Sequence, residues 1–215
     1  MSPASPAAMA DPAEIRWRPD FDAVRHEYRW QGRVLPHVTE ILKAANVRRP
    51  IPCDPATLRL AGWRGSLIHA ATLQVDAGVS SDPLSPALAG YVEAYASFCS
   101  AHVFVASQTW SEQPLCDPAL GIAGTPDRVG FVGEALHGAV LDLKTGEVEP
   151  SIGVQLAAYR CLLRANGMPV AHRLSVHLRP NGSFRVHEYL DSGDDATFLA
   201  AVTIHRWQQR TGVAA

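Results

Sequence analysis

Apolar side chains recur with a helical period in several parts of the chain. Between residues 55 and 75 they fall three or four positions apart, which predicts a long amphipathic helix. Leu88–Cys99 repeats this period, and so does Ser151–Asn166, where Gly167 follows as a C′ residue. Two more helices are predicted from N-cap signals: a short one with Thr39 as its cap, and a last one that Asp191-Ser192 caps and that runs to about residue 210.

A different pattern, rich in β-branched and aromatic residues, lies between these helices. The predicted strands, in chain order, are a hairpin over His26–Leu35 with Gln31-Gly32 at its turn, an antiparallel meander of His102–Trp110, Ile122–Val132 and Ala139–Leu143, and a second hairpin of Arg173–Arg179 and Ser183–Tyr189. Because helices precede, interrupt and follow the strands, the predicted fold class is an α/β sandwich with a mixed sheet.

Length and composition limit the domain organisation. The chain has 215 residues, of which 47% are apolar, which suits one compact domain with a sizeable core. No apolar run approaches the ~20 residues that a membrane span needs. The start of the chain is rich in Ala, Pro and Ser and lacks the features of a signal peptide, so residues 1–14 are predicted to be a disordered tail. These features predict a cytoplasmic protein that does not contact a membrane.

Charge and cysteine usage exclude some functions. The four cysteines are scattered and form no CxxC, which argues against a zinc site or an iron–sulfur cluster. The net charge of −2 means that any DNA contact must come from a local basic strip. Only two of the 19 basic residues are lysines, Lys43 and Lys144.

Three charged residues in the middle of the chain form the clearest candidate site. Asp142 and Lys144 lie two apart on a predicted strand, so their side chains point to one face. If the preceding turn is centred on residues 134–136, Asp127 lies opposite Asp142 or one step diagonal from it, ~5 to 8 Å away. Two carboxylates and an ammonium would then share one small patch.

Such a patch is costly without a cation, because like charges repel and burial disfavours ionisation. Mg²⁺ or Mn²⁺ prefers carboxylate oxygens, activates a bound water and stabilises charge on phosphate oxygens. Lys144 suits a group that orients or deprotonates the attacking water. The competing interpretation is an exposed Asp–Lys pair on an edge strand. The apolar neighbours of Asp142, and the use of lysine in an arginine-rich chain, favour the site.

Other candidate residues are ambiguous when each is considered alone. His69 lies on the first long predicted helix, where a surface or core histidine is the common case. Gln155 and Tyr159 lie four apart on the helix after Lys144 and share a face, which ordinary helix packing would also explain.

These pieces together resemble the PD-(D/E)xK nuclease superfamily, specifically its RecB-like and phage-type exonuclease branch. The matching segments occur in the order of that branch and, with the upstream segment His26–Leu42, extend over roughly residues 20–190. They are Gly65-Ser-Leu-Ile-His69, Gly124-Thr-Pro-Asp127, Leu141-Asp-Leu-Lys-Thr-Gly146 and Gln155-Leu-Ala-Ala-Tyr159.

The resemblance implies a restriction-endonuclease-like core over residues 15–215, a single nuclease domain. It implies metal binding by His69, Asp127, Asp142 and the backbone carbonyl of Leu143. Lys144 would then be the catalytic lysine, with Gln155 and Tyr159 supporting the site. Further candidates are Glu112 as an additional acidic ligand and, for DNA phosphates, Arg64, Arg160 and Arg164. The cysteine pattern departs from the iron–sulfur subgroup of the branch, because no cysteine follows Cys161.

The leading hypothesis is therefore a Mg²⁺- or Mn²⁺-dependent deoxyribonuclease, an exonuclease rather than an endonuclease, that hydrolyses phosphodiester bonds by metal-activated water. Its setting would be recombination, repair or phage DNA processing. Its partners would be DNA, a single-strand annealing or recombination protein, and further copies of the chain. Two alternatives stay open: a non-catalytic DNA-binding module, and a phage structural or adaptor protein that retains the nuclease fold.

Overall fold

The structure is a computed structural model that describes residues 14–49, 53–79, 85–146 and 148–213. The helices are α1 (Val38–Ala44), α2 (Pro55–Asp76), α3 (Pro86–Ala101), α4 (Ser151–Ala165) and α5 (Gly193–Thr211). The strands are β1 (Asp20–Asp22), β2 (Glu27–Trp30), β3 (Arg33–Leu35), β4 (Val105–Ala106), β5 (Leu115–Asp117), β6 (Ile122–Gly124), β7 (Arg128–Val132), β8 (His137–Lys144), β9 (His172–Leu178) and β10 (Phe184–Glu188).

A five-stranded sheet with the order β10-β9-β8-β7-β4 forms the centre of the fold. Strands β8 and β9 are parallel, whereas the other neighbouring pairs are antiparallel. A parallel pair needs a long crossover connection, and α4 provides it. The sheet is therefore mixed, as predicted.

Helices cover both faces of this sheet. Val140 of β8 belongs to a core that includes residues of α1, α4 and α5, such as Ile41, Leu156 and Phe198. Leu141 points the other way, into a core with α2 and α3. This alternation follows from the two-residue period of a strand that is buried on both faces. The arrangement confirms the α/β class with a mixed central sheet flanked by helices, and it is consistent with a restriction-endonuclease-like core.

The prediction of one continuous strand over Ile122–Val132 was wrong, because the structure divides this segment into the two strands β6 and β7. Strand β6 pairs with β5, a strand that the sequence pattern did not predict, in a separate two-stranded sheet. Pro126 interrupts the segment, since proline has no N–H for a sheet ladder. The break leaves Asp127 just before β7.

Several local predictions can be compared with the structure. The turn at Gln31-Gly32 is confirmed, with φ of 48° and 79°. Thr39 was wrong as an N-cap, because α1 begins at Val38 after His37. Much of the predicted strand over His102–Trp110 forms turns, and its β structure is limited to β4.

Some predictions for the ends of the chain lie outside the described residues. Of the predicted tail over residues 1–14, the structure describes Glu14. No helix in the described ranges is both long enough and apolar enough to cross a membrane.

Gly130 permits the close pairing of β7 with the edge strand β4. A Cβ atom at this position would lie 2.2 Å from the carbonyl oxygen of Val105 and 2.9 Å from Cα of Ala106. We expect Gly130→Ala to lower the free energy of unfolding by about 1 to 3 kcal/mol, because backbone atoms must move to admit the methyl group. Urea denaturation measures this change.

The matched control is Gly62→Ala on α2, where a Cβ would meet no atom within 4 Å. Alanine favours a helix interior over glycine by about 1 kcal/mol, so this variant is expected to be more stable than the wild type. Equal stability of the two variants would contradict the proposed packing at Gly130.

Candidate metal and catalytic site

The hairpin of β7 and β8 brings the two sequence-predicted aspartates together. Its register pairs Arg128 with Leu141, so the next position places Asp127 opposite Asp142. Asp127 does not continue the ladder with its backbone. Instead its Oδ2 accepts a hydrogen bond of 2.8 Å from the backbone N–H of Leu143. The predicted turn over residues 134–136 thus leads to the expected placement.

A chain of side-chain hydrogen bonds joins β8 to α4. Lys144 Nζ donates to Asp142 Oδ1 at 2.8 Å, and Gln155 Nε2 lies 3.2 Å from the same oxygen. Gln155 also contacts the hydroxyl of Tyr159 at 3.3 Å, as their shared helix face allows. Arg48, which the sequence analysis missed, donates from Nη1 to Gln155 Oε1 at 3.2 Å. The four predicted residues in this hydrogen-bond network therefore lie on the side of the sheet that α4 covers. They are Asp142, Lys144, Gln155 and Tyr159.

A second group of side chains meets at the same end of β8. Donor atoms of His69, Glu112 and Asp127 all lie within 4.8 Å of one another. His69 reaches this point from α2, with Nδ1 3.0 Å from Glu112 Oε1 and Nε2 3.7 Å from Asp127 Oδ2. The backbone carbonyl of Leu143 lies 3.3 Å from His69 Nε2. Two carboxylates and an imidazole form a donor set that suits a divalent cation.

Glu112 joins this group through an uncommon backbone conformation. Its φ is 53°, in the left-handed region that non-glycine residues rarely occupy. A hydrogen bond of 3.0 Å from its N–H to the carbonyl of Pro126 holds it beside the loop that carries Asp127. Local sequence gives no signal for this conformation, which explains why Glu112 was a minor candidate from sequence.

Asp142 lies beside the three-residue group and outside it. Its side chain is fully buried, and Oδ1 accepts from Lys144 and Gln155. Within the described residues its other oxygen, Oδ2, has no hydrogen-bond partner. A buried carboxylate oxygen without a partner is energetically costly, which marks Oδ2 as a free ligand atom.

The charges of the site set the protonation of its basic groups. Burial alone would lower the pKa of His69, but Asp127 and Glu112 outweigh it and raise the pKa to about 9. Burial would likewise lower the pKa of Lys144, and Asp142 and Asp127 raise it instead. Without a cation, both groups are therefore positively charged at neutral pH. An ammonium at Lys144 can orient the carboxylate of Asp142 and stabilise nearby negative charge.

Arg128 is a fully buried residue that the sequence analysis missed and that positions the three-residue group. Its guanidinium donates to the carboxylate of Glu112 at 3.0 Å and to the backbone carbonyls of His69 and Asp127 at 3.0 and 2.7 Å. Nε of Arg128 also donates a hydrogen bond of 2.6 Å to the carboxylate of Asp76, which balances the charge of the guanidinium. The available signal was an arginine directly after Asp127 in an otherwise apolar strand.

Of the predicted phosphate contacts, Arg64 lies at the site. With Arg48 and Lys144 it lines a cavity of about 570 Å³ next to His69. Neither Arg160 nor Arg164 lines this cavity. Arg160 forms an ion pair with Asp195 of α5, which turns it toward the neighbouring helix.

Comparisons with known proteins add little to this geometry. No protein-family model matches the chain, and no curated protein matches it significantly. Among solved structures, it is similar to an alkaline exonuclease (LHK-Exo) from Laribacter hongkongensis, with a TM-score of 0.36 and 12% sequence identity. The similarity covers 82% of this chain and 92% of that one. A likeness this low supports no conclusion about activity, so the function must be inferred from the site itself.

The position of Arg128 predicts a large effect on stability. We expect Arg128→Met to lower the free energy of unfolding by about 3 to 5 kcal/mol, because the buried carboxylate of Asp76 loses its ion-pair partner and keeps only the hydrogen bond from Tyr95. The control is Arg160→Met, which removes a partly exposed ion pair and should cost about 0 to 1 kcal/mol. Equal losses in urea denaturation would contradict the positioning role.

The raised pKa of His69 predicts a pH-dependent stability of the metal-free protein. The pKa of His69 is 6.5 in the unfolded chain and about 9 in the folded protein. The stabilisation is therefore complete below pH 6.5 and is lost as the pH rises through about 9. In EDTA, the stability difference between wild type and His69→Gln should shrink over this interval. A difference that stays constant with pH would show that the carboxylates do not hold the proton.

Proposed function

We propose that the protein is a Mg²⁺- or Mn²⁺-dependent DNA nuclease of the PD-(D/E)xK type, and an exodeoxyribonuclease rather than an endonuclease. The observation that carries the proposal is the position of two groups at one end of β8. The clustered donors of His69, Glu112 and Asp127 lie next to the ion pair of the buried Asp142 and the half-buried Lys144.

The residues present fit a hard divalent cation. Glu112, Asp127 and the carbonyl of Leu143 offer oxygen ligands, and His69 adds a nitrogen. Oδ2 of Asp142, which has no hydrogen-bond partner among the described residues, offers one more oxygen next to this group. A bound cation would supply a water of lowered pKa and would stabilise charge on phosphate oxygens.

The side chains around the proposed cation have separate roles in orienting the site and in binding DNA. Lys144 holds an ammonium 2.8 Å from Asp142, where it orients the carboxylate and offsets developing negative charge on a phosphate. Gln155 fixes the same carboxylate from α4, with Tyr159 behind it. Arg64, in the wall of the adjacent cavity, contacts the DNA backbone.

The substrate and setting are part of the proposal. A cavity with Arg48, Arg64 and Lys144 on its wall suits a polyanion, whereas the net charge of the whole chain does not attract one. DNA as the substrate, exonuclease action and a role in recombination, repair or phage DNA processing follow from the sequence resemblance. A single-strand annealing partner and homo-oligomerisation have the same basis, whereas a cytoplasmic location is proposed from the composition of the chain.

Cleavage of linear and circular DNA in Mg²⁺ or Mn²⁺ tests the proposal. We expect Asp142→Asn to lower kcat by at least about 100-fold and Lys144→Met by about 10²- to 10⁴-fold, since each removes a group needed in the transition state. Lys43→Met is the matched control, because Lys43 is the other lysine of the chain and lies exposed on α1. It should retain wild-type activity.

The other functions predict different results. A DNA-binding module would bind DNA without cutting it, and an adaptor protein would bind neither DNA nor metal. Cleavage assays separate the nuclease from the binding module, and calorimetry with Mn²⁺ separates both from the adaptor: the nuclease proposal expects binding to the wild type and at least about tenfold weaker binding to Glu112→Gln. A wild type that cuts no form of DNA in either metal would overturn the proposal.

A further inference from the structure

A second cavity lies on the other side of the candidate metal ligands. It has a volume of about 350 Å³ and shares Asp127 and Glu112 with the cluster. Its opposite wall consists of rings from the hairpin that the antiparallel strands β1 and β2 form, and from the residue before α1. These rings are Phe21, His26, Tyr28 and His37. The cavity is thus bounded by carboxylates on one side and by aromatic side chains on the other.

The rings of this aromatic wall pack against one another. The centroids of Phe21 and Tyr28 are 4.6 Å apart, and those of His26 and His37 are 4.8 Å apart. Phe21 is 37% exposed, so part of its ring stays open for a further partner. An aromatic cluster that is packed on itself and open on one side offers a preformed stacking surface.

The aromatic wall is also held at a fixed distance from the cluster. The hydroxyl of Tyr28 lies 2.9 Å from that of Thr125, two residues before Asp127. Ala123 donates its backbone N–H to the carbonyl of Pro36 at 3.0 Å, which ties the hairpin region to β6. A ligand in this cavity would therefore lie in a defined position relative to any group bound at Asp127.

The two cavities differ in the charged side chains on their walls, so they suit different ligands. Of the described residues that line the aromatic cavity, none is lysine or arginine. It therefore offers no such cationic side chain to a phosphate group, whereas a neutral planar ring needs none. The other cavity has Arg48, Arg64 and Lys144 on its wall against one carboxylate, that of Glu149. A nucleotide spanning the cluster would thus place its backbone toward the arginines and its base toward the rings.

We propose that the aromatic cavity binds one unpaired nucleobase next to the phosphodiester at the metal cluster. A base inside a duplex is stacked on both faces, so it enters such a cavity after it leaves the stack. The protein would therefore favour DNA with single-stranded or frayed ends over continuously paired DNA. Stacking on aromatic rings tolerates any base, so no sequence preference is expected. The inference rests on the proposed nuclease function.

The test combines Phe21→Ala with oligonucleotides that each lack one base at successive positions. On single-stranded DNA, Phe21→Ala should lower kcat/KM about 5- to 20-fold, mainly through KM. At one abasic position the wild type should lose a similar factor, and Phe21→Ala should lose nothing further. Phe21→Trp, which keeps an aromatic ring, should restore activity.

The control variant is Val24→Ala, because Val24 lies in the same hairpin, is 97% exposed and does not line the cavity. It should match the wild type on every substrate. Either of two results would overturn the inference: no loss in Phe21→Ala, or an equal loss on every abasic oligonucleotide.

A binding measurement separates this inference from the proposed function. Fluorescence anisotropy with Asp142→Asn in Mn²⁺, with and without Phe21→Ala, reports affinity without cleavage. If the wild type cuts no DNA but binding still depends on Phe21 at one abasic position, the nuclease proposal fails and the base site stands. If the wild type cuts DNA and Phe21→Ala has no effect on cleavage or binding, the base site fails and the nuclease proposal stands.

Discussion

Carboxylates from separate parts of the chain converge at the end of β8, and the balance of their charge is the constraint on which the site depends. Asp127 and Asp142 lie opposite each other, and Glu112 approaches Asp127 from the loop before β5. Lys144 donates to Asp142, Arg128 donates to Glu112, and the imidazole of His69 lies between Glu112 and Asp127. Among the described residues none of these groups is a hydrogen-bond partner of Asp142 Oδ2, so this buried oxygen is left for a further cation.

The sheet explains how groups from both layers reach one point. Asp142 and Lys144 face α4, while His69 belongs to α2 on the opposite face. At the end of β8 the carbonyl of Leu143 contacts His69, and the side chain of Asp127 accepts a hydrogen bond from the backbone N–H of Leu143. Groups from the two layers therefore meet at this residue. A site at a strand end can thus use side chains that the sheet would separate elsewhere.

The two cavities beside the site differ in the chemistry of their walls. One has arginines and a lysine on its wall, and the other has aromatic rings with two carboxylates. This division separates a wall that carries cationic side chains from one that carries aromatic rings. Arg128 contacts residues of both walls from within the core, because it donates to the carboxylate of Glu112 in the aromatic cavity and to the backbone carbonyl of His69 in the other.

The sequence by itself determined the helices of the α/β layers, the mixed sheet and the β7–β8 hairpin, because strand alternation and turn spacing are local properties. From these, the juxtaposition of Asp127, Asp142 and Lys144 could be predicted. The break at Pro126, by contrast, was missed.

Only the tertiary structure decided the rest. It brought His69 to Glu112 across 43 residues of sequence, and Arg48 to Gln155 across 107. It also placed the rings of the β1–β2 hairpin in the wall of one cavity with Asp127. These contacts depend on how α1, α2 and the hairpin pack on the sheet, and a sequence pattern records which face of an element is buried but not which partner covers it.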